Sequence, residues 1–174
     1  MNDFELVLDK DEQILKTYKP NKARAMFSAI ILSLFMFLIF SPMAFGAMEE
    51  DGAGWIVILV WLSISLLFAL FVVLMYALWL KKTVFAVTNK RILIRTGFIG
   101  VDYKSLDYTL LGAFTVNVNW VDKLMRKNTG TLAFGSTASP MVSNTNTNFR
   151  FAYIKNPYES YKEIKAIIDE YKAK

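Results

Sequence analysis

With no cysteine and no histidine among its 174 residues, the chain cannot form a disulfide, and it lacks thiolate and imidazole both as metal ligands and as bases near neutral pH. Its net charge of +5 is uneven: residues 1–24 balance five basic against five acidic side chains, whereas residues 83–174 carry thirteen basic and seven acidic. A basic C-terminal part that follows a long apolar stretch favours anionic head groups over nucleic acid as its partner.

Residues 1–24 are polar, and Glu12–Tyr18 reads either as a short strand stopped by Pro20 or as an amphipathic tail. Two apolar segments follow. Residues 25–48 and 52–80 contain no charge, and only Glu49-Glu50-Asp51 separates them. A bilayer core needs about 20 apolar helical residues, so each segment is long enough to span, over about 25–47 and 53–80. So short a break closes only an antiparallel hairpin, which puts both flanks on one side of the membrane. Lys19, Lys22 and Arg24 precede the first span, Lys81 and Lys82 follow the second, and the connection holds only acids. The positive-inside rule then predicts a multi-pass protein of the cell inner (cytoplasmic) membrane with both termini cytoplasmic. Arg24, Trp55, Trp79, Lys81 and Lys82 are the expected interface anchors, the two indoles lying about 36 Å apart at the helical rise. Ala44-Phe45-Gly46 loosely fits a signal-peptide cleavage site, but the apolar run before it exceeds the usual signal core. Pro42 is expected to start the turn or kink the end of the first span. Ala25, Ala29 and Ser33 repeat at four-residue spacing, as do Ser65 and Ala69, which lets helices approach closely within the hairpin or against another chain.

After Lys82 the apolar period changes to two, the mark of strands. Thr83–Thr88 and Arg91–Thr96 flank a tight turn at Asn89-Lys90. Extended segments follow at Val101–Tyr108 and at Phe114–Trp120, where Phe114, Val116, Val118 and Trp120 define a half-buried face. Val121–Lys127 reads as a short helix or a basic loop. Gly130–Gly135 and Phe149–Ile154 are two more strands, separated by a long polar loop at Ser136–Asn148. The last element is a helix over 157–172. Asn156 is placed as N-cap, Pro157 at the first helical position and Glu159 as the partner of a capping box. Its apolar face holds Tyr158, Tyr161, Ile164, Ile167, Ile168 and Tyr171. With Glu12–Tyr18, this makes seven strands and a C-terminal helix.

Val87-Thr88-Asn89-Lys90-Arg91-Ile92-Leu93-Ile94 with Gly97, then Leu110–Val118, Gly130-Thr131-Leu132 and Ile154-Lys155-Asn156-Pro157 stand in an order that resembles the bacterial pleckstrin-homology (PH) family. Asp11-Glu12-Gln13-Ile14-Leu15 followed by Tyr18-Lys19-Pro20 is similar to that family's N-terminal segment. The resemblance implies an α+β, mainly β, PH-like barrel of about seven strands over residues 81–174, capped by the C-terminal helix. Residues 1–24 would supply its first strand, and the transmembrane hairpin of 25–80 would be inserted after it. It also implies a non-enzymatic interaction or scaffold module that self-assembles.

The residues themselves offer little catalytic chemistry. Phosphate-loop, dinucleotide and zinc-protease patterns are absent, and Gly97 and Gly100 lack the third glycine and following helix of a phosphate cradle. The spans hold no ionisable side chain of the kind that ion pathways use. Asp169 and Glu170 do not share a helix face, and Asp102 and Asp107 read as solvent-facing. No enzymatic activity, catalytic residue, cofactor, metal or small-molecule substrate is therefore expected, and no nucleic acid. Lys123, Arg126 and Lys127, opposed only by Asp122, are the first candidates to contact anionic lipid or an acidic partner, with Lys90, Arg91 and Arg95 as a second group. Near an anionic leaflet each contributes about 1 kcal/mol. The bland alternatives are topology determination for Lys81 and Lys82, hairpin closure for Arg91 and a solvated turn for residues 123–127. Two classes of function follow: a membrane-anchored interaction module that contacts lipid, itself or another membrane protein, or an accessory subunit of a transporter or channel docked through Ala25, Ala29 and Ser33.

Overall fold

The computed structural model describes residues 4–46, 54–124, 128–137 and 149–173, and the chain divides into two compact units, Ala25–Leu78 and Met1–Arg24 with Trp79–Lys174. The helical unit is built from α1 (Lys22–Gly46) and α2 (Gly54–Lys82), both long and apolar enough to cross a membrane. Neither is amphipathic, because the apolar residues run all round each helix. Leu66 is 72% and Leu67 66% exposed, and Val72 is the one buried residue among those described in α2. Ala25 and Ala29 are fully buried, whereas Ser33 is half-buried. The Phe37 and Trp61 rings meet at 4.2 Å, and an apolar cleft of about 630 Å³ lies between the helices, edged by Ser33 and Ser65. Ser33, Ser63 and Ser65 each donate to the carbonyl four residues earlier, so their hydroxyls are satisfied within their own helices. Pro42 lies inside α1, which continues to Gly46.

Among the described residues the second unit carries seven strands, in two antiparallel sheets. The first has the order β1 (Ile14–Tyr18), β2 (Val84–Thr88), β3 (Arg91–Thr96), β4 (Asp102–Asp107). The second has the order β5 (Leu111–Asn117), β6 (Thr129–Ser136), β7 (Phe149–Lys155). Short α3 (Trp120–Leu124) joins β5 to β6, and α4 (Pro157–Lys172) follows β7. β1 pairs with β2, Tyr18 opposite Phe85, so the segment before α1 and the segment after α2 share one sheet.

β2 is buried along its whole length, which explains its near-continuous apolar sequence. Phe85 and Val87 face the main core, while Val84 and Ala86 pack with Leu93 and Phe4 on the other face. The main core joins both sheets to α4. Phe85 stacks on Phe151 at 4.6 Å, Phe134 meets Phe151 edge-on at 4.8 Å, and Ile164 and Ile168 cover them. Seven strands in two sheets with a C-terminal helix fit a PH-like fold.

Four details depart from the sequence reading. Glu12 precedes β1 rather than opening it. Trp120 begins α3 and is 70% exposed, because β5 ends at Asn117. Tyr158 is 61% exposed; the packed face of α4 starts with Pro157 and Ser160, and Tyr171 reaches Tyr108 at 5.1 Å. Asn156 stands at the N-cap of α4 with Pro157 following, as expected, but its side chain makes no capping hydrogen bond. Its backbone is left-handed (φ 47°), and its side chain bridges Asn128 and Glu159, both at 3.0 Å. The turn is tight enough that a Cβ on Gly130 would lie 2.9 Å from Pro157, which accounts for a glycine there.

Candidate membrane-facing surface

Arg24 is the last charged residue before the apolar run, and its neighbourhood is closed by a buried ion pair. Its Nε donates to Asp122 Oδ1 at 2.5 Å, and both side chains are 4% exposed. Asp122 also accepts from Thr129 Oγ1 at 2.7 Å and from the Asn119 amide at 3.1 Å. The Arg24 guanidinium lies 5.0 Å from the Tyr153 ring centroid, and the Asn21 amide donates to the Tyr153 carbonyl at 2.7 Å. Tyr153 adopts φ 56° where the β6–β7 register shifts, and this bulge brings its carbonyl and ring to the root of α1.

These contacts fix α3 to Arg24, the last charged residue of the N-terminal segment. What α3 then leaves outside is apolar and basic: Trp120 is 70% exposed, Leu124 66%, and Lys123 is exposed between them. Asp122 therefore does not oppose the charge of Lys123, since its carboxylate is engaged by Arg24. The same pair holds Arg24, expected as an interface anchor, in the domain interior. Arg126 and Lys127 lie outside the described residues.

The second basic group behaves differently. Arg91 makes a bidentate pair with Glu12, Nε to Oε1 at 3.0 Å and Nη2 to Oε2 at 2.8 Å, and donates to the Val7 carbonyl at 2.9 Å. Thr88 donates to Glu12 Oε1 at 2.7 Å, and Asn89 holds the Gln13 amide and the Asp11 carbonyl. Burial alone would push the Glu12 carboxyl up, but the hydrogen bonds from Arg91 and Thr88 outweigh it and hold the group below its ordinary range. The Arg91 guanidinium is raised, mainly by its hydrogen bond to Glu12. Thr88, Asn89 and Arg91 thus form a clamp on the N-terminal segment. Lys90 and Arg95 are half-buried, Lys90 in the β2–β3 turn and Arg95 on β3 opposite Val84 and Tyr103.

The last turn of α2 is tied in its own way. Trp79 Nε1 donates to Thr96 Oγ1 at 3.0 Å, and its ring meets Tyr153 edge-on at 6.1 Å. Lys82 Nζ donates to the carbonyls of Ile99 and Gly100, while Lys81 is exposed. Trp55, in the first turn of α2, is 63% exposed. A polar groove of about 680 Å³ runs along the end of β1 and the start of α4, lined by Lys16, Lys19, Lys22, Lys155 and Glu163 among others. Glu163 accepts from Lys16 at 2.5 Å and from Tyr18 at 3.2 Å. The Lys16 hydrogen bond, against a smaller effect of burial, holds the Glu163 carboxyl below its ordinary range.

No curated protein and no solved structure matches the chain at a significant level. A family model described as "Bacterial PH domain" matches residues 23–172, from the first turn of α1 through α4. The match includes α1 and α2 and leaves β1 outside, although β1 completes the first sheet. Such a family suggests a non-enzymatic interaction module. Because the match runs over most of its length, the chain belongs to the bacterial PH domain family.

Proposed function

We propose that this protein is a membrane-anchored, non-enzymatic interaction module that contacts anionic lipid, or an acidic partner at the membrane, through α3 and the basic residues after it. In this reading α1 and α2 span the inner membrane, both termini are cytoplasmic, and residues 1–24 and 81–174 form one cytoplasmic domain. Lys123, with Arg126 and Lys127, supplies charge, and Trp120 and Leu124 supply the apolar contact. The observation that carries the reading is the exposure of Trp120 and Leu124 on a helix locked, through Asp122, to the residue before the apolar run. An indole beside basic side chains suits the head-group layer, where its ring and N–H find different surroundings. The outward apolar residues of α1 and α2 support the membrane assignment, since water would expose them at large cost.

The chain has no native cysteine, so single labels report cleanly. A polarity-sensitive fluorophore on Leu124→Cys, in full-length protein reconstituted into nanodiscs, should shift to the blue when anionic lipid replaces zwitterionic lipid. Replacing Lys123, Arg126 and Lys127 by alanine should abolish the shift. Identical emission in both lipids would leave an ordinary solvated turn. Orientation is read separately: an impermeant thiol reagent should label Gly52→Cys but not Ser143→Cys in intact cells, and the reverse pattern overturns it.

A further inference from the structure

We propose that the β3–β4 turn is a second membrane contact, a wedge that places Phe98 and Ile99 among the lipids of the leaflet in which α2 ends. This rests on the reading that α2 spans a membrane. Turns are ordinarily built from glycine, proline, asparagine, aspartate and serine. Here Thr96-Gly97-Phe98-Ile99-Gly100-Val101 carries no charge between Arg95 and Asp102. Ile99 is 87% exposed, Phe98 50% and Val101 39%, a continuous apolar tip on a small domain.

The position of this tip is fixed by the last turn of α2, which belongs to the same compact unit. Lys82 Nζ donates to the Ile99 and Gly100 carbonyls, Trp79 Nε1 donates to Thr96 Oγ1, and the Thr83 and Thr96 hydroxyls meet at 3.3 Å. The turn is therefore held to both ends of the Trp79–Thr83 segment, where the charge-free run gives way to Lys81 and Lys82. Residues of this kind mark the interface, indole and ammonium at head-group depth. The shape of the turn is also constrained. Gly97 has φ 156°, and a Cβ there would lie 2.3 Å from the Gly100 carbonyl oxygen, so the loop cannot relax with another residue at that position. The carbonyls of Ile99 and Gly100 are satisfied by the Lys82 ammonium, which lowers the cost of carrying this backbone toward lipid. The pair is exposed, apolar and tied to the last turn of a helix long enough to cross a membrane, and on that ground lipid is the occupant assigned to it.

The test uses the full-length protein in phosphatidylcholine nanodiscs containing a lipid with a nitroxide near the head-group end of its acyl chain. Fluorophores are placed singly on Ile99→Cys, on Leu66→Cys within α2 and on Lys104→Cys in β4. The label at 99 should be quenched by the nitroxide lipid at least twofold more than the label at 104, and be correspondingly shielded from aqueous iodide. Equal behaviour of the labels at 99 and 104, with the label at 66 quenched by lipid, overturns the wedge and leaves the membrane assignment standing. A label at 66 open to iodide overturns both. A label at 99 shielded from iodide but not quenched by lipid assigns the tip to a protein partner and overturns the lipid contact.

Discussion

The β2–β3 turn and α3 both present basic residues close in sequence to strand ends, yet they differ in what those charges meet. At the turn, Arg91 reaches across to Glu12, whose side chain is fully buried, and the Arg91 side chain is 17% exposed. At α3 the polarity is inverted: the N-terminal segment supplies the cation, Arg24, the domain supplies the carboxylate, Asp122, and Lys123 is left outside. Each pair ties residues 1–24 to the domain after α2. The difference teaches that a count of positive charges does not locate a binding surface. A charge whose partner is buried beside it belongs to the fold, and the available surface is what remains once such partners are assigned.

The comparison breaks most directly at its most buried member. Asp122→Ala removes the carboxylate that the buried Arg24 side chain donates to, and with it the acceptor of Thr129. Breaking a buried ion pair by removing one partner costs about 3–5 kcal/mol. Denaturant unfolding of the full-length protein in detergent should show a loss of that order, with faster amide exchange in β6. A loss below about 1 kcal/mol would mean that water or a neighbour replaces Asp122 and that α3 is not locked to Arg24.

Glu12→Gln should have the second-largest effect, about 1–3 kcal/mol, because Arg91 is partly open to solvent and the attraction is screened accordingly. It also carries a pH signature. The folded-state pKa of Glu12 is depressed, so its stabilisation is complete above the unfolded carboxylate value of about 4.3 and is lost as pH falls through the lower folded value. Between those values the unfolded state binds more protons, so stability rises with pH there. The wild type should therefore lose stability on acidification from pH 6 to pH 3 more steeply than Glu12→Gln, and the two should converge at the acid end. Parallel curves would remove Glu12 from the clamp.

Most of the fold was legible in the sequence because it is written in periods. Charge-free runs mark the two long helices, alternation of Phe114, Val116 and Val118 marks a half-buried strand, and the three-to-four spacing of Tyr161, Ile164 and Ile168 marks the packed face of the last helix. The site was less legible because it depends on pairings between distant residues. Arg24 and Asp122 are 98 positions apart, and Arg91 and Glu12 are 79 apart, so nothing local shows that either pair forms. Trp120 misled for a related reason: it continues the alternation of Phe114, Val116 and Val118 and would be the next inward residue had β5 not stopped at Asn117. A tryptophan followed by Val121-Asp122-Lys123-Leu124, where alternation fails, was the available sign of a helix with an outward apolar end. The asparagine at 156 does stand at the N-cap position, but its backbone is left-handed and its side chain bridges Asn128 and Glu159 rather than a backbone amide, which type and spacing do not show.

The smallest effect tests whether burial, rather than the existence of a cross-link, separates the two regions. Lys16 and Glu163 join β1 to α4 much as Glu12 and Arg91 join the N-terminal segment to the β2–β3 turn, with Nζ and Oε2 2.5 Å apart. Here the side chains are 42% and 39% exposed, so water competes for both charges. Holding two long side chains in one geometry also costs entropy, and such pairs contribute from nothing to about 1 kcal/mol. Lys16→Ala should therefore change the unfolding free energy by less than about 1 kcal/mol. What it does change should fade between 0.15 M and 1 M salt, where the screening length falls from about 8 Å to about 3 Å. The cost of Glu12→Gln should vary less over the same range, because the Glu12 side chain is fully buried. If Lys16→Ala proves as costly as Glu12→Gln and as indifferent to salt, solvent access is not what distinguishes the pairs, and the division between charges that hold the fold and charges left for a partner loses its physical basis.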